Sequence, residues 1–126
     1  MKKIINTPNA PAPIGPYNQA VQAGDMLYCS GQVGINPETG KMVDNSLEEE
    51  AHQVMKNVAA ILEAAGANFS HVVKTSIFLK SMDDFKEING IYGSYFEGDF
   101  PARETVAVKT LPLDVRVEIS VTAYMG

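Results

Sequence analysis

The chain has 126 residues, 45% hydrophobic and 20% charged, with a formal net charge of -5. That is the size and make-up of one globular domain, residues 1–126, and it excludes disorder and fibrous repeats. A single cysteine rules out an intrachain disulfide, and an acidic chain whose densest cationic run is Lys2-Lys3 is poorly suited to a phosphate backbone.

No apolar run nears the ~20 residues that a membrane span needs. The basic start, Met1-Lys2-Lys3, is followed only by Ile4-Ile5 before Asn6-Thr7-Pro8, which is too short for the apolar centre of a signal peptide. The expectation is a cytoplasmic protein with neither a nucleic-acid nor a membrane partner.

Lys2 to Ile5 reads as a short strand. The stretch from Pro8 to Pro16 cannot be helix, because its prolines remove donors and push the preceding residues toward extended forms. It is either a disordered arm or a loop pinned against something. Gln19 to Ser30 reads as two strands around the turn Ala23-Gly24-Asp25, and Asn36-Pro37-Glu38-Thr39-Gly40 as a second turn.

A helix is predicted from about Leu47 to Ala65. Ser46 and Glu49 form a capping-box pattern, and Leu47, Ala51, Val54, Met55, Val58, Ile61, Leu62 and Ala65 make one apolar stripe. Gly66 supplies the left-handed stop. His71 to Lys80 reads as a strand, with Val73, Thr75, Ile77 and Leu79 on one face and Lys74, Ser76 and Phe78 on the other.

A second helix is predicted from about Met82 to Phe96, capped by Ser81 or Asp83. Its Gly90 and Gly93 point to close packing against a neighbour. Phe100-Pro101 interrupts the chain. Arg103 to Lys109 is then a strand, Leu111 to Asp114 a turn, and Val115 to Tyr124 a final alternating strand with Glu118 opposite the valines. Two helices of this length cover one face of such a sheet, so its other face meets water or another subunit.

The strong motifs are absent. There is neither G-x-x-x-x-G-K-[ST] nor G-x-G-x-x-G to cradle phosphate. His52 and His71 lack partners at metal-ligand spacing, so no metal site is expected, and His52 reads as a surface residue. Cys29, between Tyr28 and Ser30, reads as a small buried hydrophobe.

Two charged residues invite chemistry. Arg103 opens a strand and shares a face with Thr105, and its planar fork can grip a carboxylate. Glu104 points to the opposite face and is poorly placed to neutralise it. Glu118 is either a solvated carboxylate beside Arg116 or a general base in a cleft.

Several segments together, nearly end to end and in order, resemble the RidA/YjgF family of imine deaminases. They are Gly15-Pro16-Tyr17-Asn18-Gln19-Ala20, Ser30-Gly31-Gln32, Asn36-Pro37-Glu38-Thr39-Gly40, Asp84-Phe85 with Asn89, Phe100-Pro101-Ala102-Arg103, Leu111-Pro112 and Val117-Glu118-Ile119.

The resemblance implies a chorismate-mutase-like α+β single domain, a mixed sheet with two helices on one face, assembled as a homotrimer with sites between subunits. It implies hydrolysis of 2-imino acids, such as 2-iminobutanoate and 2-iminopropanoate, to 2-keto acids and ammonia, with no cofactor. By the same resemblance, Arg103 holds the substrate carboxylate and Glu118 orients or activates water. Tyr17 helps close the cleft, Ser30 and Gly31 line it, and Asn89 matches the family's helix asparagine. Thr105 stands where cysteine is common, so its backbone carbonyl, and no thiol, is left to position water or the imine nitrogen. Asn18 and Glu104 also depart from the family's smaller residues. Two alternatives use the same fold: a non-catalytic regulator that binds a small carboxylate, and RNA cleavage or translation inhibition, which the acidic charge disfavours.

Overall fold

Alternation and helical periodicity resolve into two layers in the computed structural model, which describes residues 1–126. The order is β1 (Lys2–Ile5), β2 (Ala20–Ala23), β3 (Met26–Cys29), α1 (Leu47–Ala64), β4 (Val72–Leu79), α2 (Phe85–Gly93), β5 (Ala102–Ala107) and β6 (Val117–Tyr124). The strands form one six-stranded sheet in the order β1-β2-β3-β6-β4-β5. Only β4 and β5, joined through α2, run parallel; the other neighbours are antiparallel. The sheet is therefore mixed, and the fold is α+β with both helices on one face.

α1 starts where Ser46 Oγ accepts the Glu49 N–H at 3.1 Å, one half of the expected capping box. It ends in a Schellman arrangement: Gly66 takes φ +80°, its N–H donates to Glu63, and the Ala67 N–H donates to Leu62. Between these ends the apolar stripe is buried, with Val54, Ile61 and Leu62 fully covered. It forms one core with Ile77 and Leu79 of β4 and Val117, Ile119 and Val121 of β6.

Three expectations change. In β4 a bulge between Val72 and Lys74 shifts the alternation, so Val72 is buried and Val73 faces outward. The second helix is shorter than Met82 to Phe96. Met82–Asp84 forms a 3-10 turn capped by Ser81, and α2 proper runs Phe85–Gly93. Gly90 and Gly93 lie against open space, not against a neighbour within the chain.

The Pro-rich arm is pinned. The buried Gln19 accepts the Thr7 N–H at 2.7 Å, and its amide group donates to the carbonyls of Thr7, Ala10 and Pro11. The loop after β3 is fixed in the same way. Asn57, fully buried in α1, donates to the carbonyls of Val33 and Ile35, both at 2.9 Å. Gln32 bridges to Ile119 of β6 through both backbone groups.

Candidate active site

Strand register decides where the charged residues go. Arg103 pairs with Thr75 and Thr105 with Ile77, and Thr75 and Ile77 are buried under the helices. Arg103 and Thr105 therefore share the helix-covered face at the sheet edge. Glu118 pairs with Phe78, the residue between Ile77 and Leu79, and so lies on the open face. Within one protomer the two charges stand on opposite sides of the sheet.

The Arg103 guanidinium carbon sits over two rings of α2, 5.4 Å from the Tyr92 centroid and 5.8 Å from that of Phe85. It borders a cavity of about 420 Å³ lined by Asn89, Tyr92, Gly93, Phe100 and Pro101. No acid neutralises it, for the three ion pairs of the chain join Lys74 to Glu104, Lys80 to Asp114 and Arg116 to Glu50. Glu104 lies on the other face, 3.1 Å from Lys74 and hydrogen-bonded to Ser76. The Ser76 and Lys74 contacts hold its carboxyl below the usual range.

Glu118 closes a narrower crevice of about 110 Å³, walled by Tyr17, Gly31, Gln32, Val33, Pro112 and Leu113. It is half-buried, and that burial pushes its carboxyl above the ordinary glutamate value. Gly31 is in direct contact: a Cβ there would come within 2.9 Å of the Glu118 Cδ and Oε2. A pairing of Glu118 with Arg116, one of the two readings the sequence left open, is not formed. Arg116 turns to Glu50, with Nε to Oε1 at 2.7 Å and the backbone N–H to Oε2 at 2.9 Å.

The residues singled out from sequence thus fall into two groups: Arg103 with Asn89, and Glu118 with Gly31 and Tyr17. Ser30 stands beside the second group but spends its hydroxyl on the Asn18 carbonyl at 2.6 Å. Thr105 Oγ1 is buried and has no hydrogen-bond partner.

Cys29 is a buried hydrophobe, its thiol pushed up to about 12 by burial. His52 is not simply a surface residue: its Nδ1 lies 2.7 Å from the Tyr95 hydroxyl and ties α1 to the segment after α2. His71 accepts the Asn68 N–H in a local cap. No three His, Cys, Asp or Glu side chains converge as a metal site would require, and no helix is long and apolar enough to cross a membrane.

The sequence reading passed over Glu50 and Asn57. Glu50 is 1% exposed and Asn57 is fully buried. The available signal was their spacing of seven residues, which puts both on the side of α1 that carries Val54 and Ile61. A polar residue inside an apolar stripe has to find a partner: Asn57 finds the carbonyls of Val33 and Ile35, which wall the Glu118 crevice, and Glu50 finds Arg116.

Known proteins match along the whole chain. The family described as Endoribonuclease L-PSP matches residues 7–125. A 2-iminobutanoate/2-iminopropanoate deaminase of Dermatophagoides farinae is 50% identical over 94% of this chain and 92% of its own. The mouse protein of the same name is 48% identical over 100% of this chain and 93% of its own. The crystal structure of E. coli TdcF with bound serine superposes with a TM-score of 0.94 at 37% identity, covering 98% of this chain and 99% of that one. With this two-layer fold and these relatives, the chain belongs to the Endoribonuclease L-PSP family, also called RidA/YjgF.

Proposed function

We propose that the protein is a cofactor-independent deaminase that hydrolyses 2-imino acids such as 2-iminobutanoate and 2-iminopropanoate. The observation that carries this reading is a pair of unneutralised charges of opposite sign: Arg103 over an open cavity and Glu118 in a half-buried crevice. The names of the mouse and mite relatives support the same chemistry. The serine seen in the E. coli relative supports a site for a small amino-acid-like carboxylate.

Because the two charges occupy opposite faces of one sheet, they meet only when Arg103 of one copy faces Glu118 of another. A closed homotrimer provides three such places. In each, the Arg103 fork takes the substrate carboxylate through two N–H donors, and Asn89 borders the same space. Glu118 accepts a proton from water as the water oxygen bonds to the imine carbon. Glu118 passes that proton to the nitrogen, the hydroxyl then gives its own proton to Glu118 and on to the nitrogen as the carbonyl forms and the carbon–nitrogen bond breaks, and ammonia leaves a 2-keto acid. The Thr105 backbone carbonyl helps place the water or the nitrogen, and Tyr17 closes the crevice. A protonated imine is already electrophilic, so a ~100-fold acceleration asks for only about 2.7 kcal/mol, within reach of positioning and one general base. Removing such imines would spare pyridoxal-phosphate enzymes from attack by them.

The test is direct. With 2-iminobutanoate generated by a threonine dehydratase, the wild-type protein is expected to speed imine loss. Arg103→Ala and Glu118→Gln should each remove most of that acceleration. No acceleration by wild type across several 2-imino acids would refute the deaminase reading. Tight binding of 2-oxobutanoate with no turnover of 2-iminobutanoate would favour a carboxylate-sensing role.

A further inference from the structure

We propose that Tyr92 and Phe85 are positioning residues, an aromatic platform that holds the Arg103 guanidinium ready for its anionic ligand. The proposal rests on the carboxylate-clamp reading of Arg103 and adds the means by which that clamp is set.

Arg103 presents a problem on its own. It is exposed, it sits on an edge strand, and no acid fixes it. A long side chain in that position samples many rotamers, and ordering them on binding weakens affinity. The ordinary way to order an arginine is a carboxylate partner, but that would occupy the donors needed for the ligand. A ring face orders the same group and leaves the N–H edge free, because the attraction is to the quadrupole and uses no lone pair.

The geometry matches this arrangement. Both ring centroids lie within the ~6 Å over which cation–π attraction acts. Residues 85 and 92 are two turns apart and so share one side of α2.

Tyr92 is itself locked in three ways. It is only 4% exposed. Its hydroxyl donates to Thr75 Oγ1 at 2.9 Å, and Thr75 is the residue that pairs with Arg103 in the sheet. Phe96 packs on it at a centroid separation of 4.9 Å. The chain of contacts runs from the Arg103 backbone through Thr75 to the Tyr92 ring and back to the Arg103 side chain. Burial raises the Tyr92 hydroxyl above its usual range, while the Thr75 bond and the Arg103 charge act the other way. The ring therefore stays neutral beside the cation.

The experiment measures calorimetric binding of unreactive 2-oxobutanoate to the folded protein, alongside KM and kcat. Tyr92→Phe, which keeps the ring, should bind within about 2-fold of wild type. Tyr92→Leu, which keeps only apolar bulk, should weaken binding about 10-fold, and Phe85→Leu by a few-fold, with KM rising and kcat nearly constant. The neutral amide of the same keto acid should not discriminate among them. In wild type the Arg103 δ-methylene protons should be shifted upfield by ring currents, and that shift should shrink in Tyr92→Leu.

If Tyr92→Leu fails to fold, Phe85→Leu at the half-buried start of α2 decides. Folded leucine variants with wild-type affinity would overturn the platform. Keto-acid binding that survives Arg103→Ala would instead overturn the clamp reading, and a missing ring-current shift would overturn the platform whatever the ligand result.

Discussion

Gly31 shows how one absent side chain makes room for a carboxylate. Its φ is not in the left-handed region, so backbone freedom does not explain a glycine there. Space does: a Cβ would stand 2.9 Å from the Glu118 carboxyl carbon and one of its oxygens, far inside van der Waals contact. Gly31→Ala therefore has a specific expected outcome. The backbone accepts alanine, and Glu118 swings aside to relieve the overlap. If Glu118 is the proposed general base, a displacement of that order costs activity of up to about 100-fold. Melting temperature should move little, since the overlap is with the far end of a flexible side chain and not with backbone. The check is kcat/KM with 2-iminobutanoate beside thermal unfolding of the same preparation. Loss of activity and stability together would instead make Gly31 a folding residue.

At the scale of the element, α1 does two jobs, and only one was legible in the sequence. Its apolar stripe, its serine cap and its glycine stop follow from local rules, and all three are present. The alternation of β6 and the shared face of Arg103 and Thr105 were legible for the same reason, because strand periodicity is local. The bulge that turns Val73 outward was not, since it arises from the pairing of β4 with β6. Nor was the Glu50–Arg116 pair, whose members lie 66 positions apart. Sequence adjacency favoured Glu118 as the partner of Arg116, whereas the fold offers a buried carboxylate that also accepts the Arg116 backbone N–H.

That pair carries a stability prediction. Arg116→Ala leaves the Glu50 carboxylate buried with only the backbone donor, which should cost about 3 kcal/mol. The figure sits at the low end for broken buried pairs, because the guanidinium is 34% exposed. Urea unfolding of the variant against wild type measures it. A loss below about 1 kcal/mol would mean that Glu50 finds water or another donor.

At the scale of the molecule, the sheet itself separates the two charges that the proposed chemistry joins. The face away from the helices carries Glu118, Phe78 and Val106 in one row and Ser120, Ser76 and Glu104 in the next. Tyr28 and Tyr124 stand exposed on the same side. In a chain this small, a half-apolar open face is a natural surface for another copy. Under the proposed shared site, the β5 edge that carries Arg103 of one protomer would meet this open face of its neighbour beside Glu118. An experiment that mixes two inactive chains isolates this claim. Arg103→Ala chains keep Glu118, and Glu118→Gln chains keep Arg103. Where both groups of a site come from one chain, every mixed particle stays inactive. Where each site joins two chains of a ring, random 1:1 assembly completes about one site in four. Co-refolding the two variants should therefore recover roughly a quarter of wild-type activity, while either variant refolded alone keeps only its small residual activity. Inactivity of the mixture, with mixed oligomers demonstrated by mass spectrometry, would rule out a site shared between subunits and the division of labour between Arg103 and Glu118 with it.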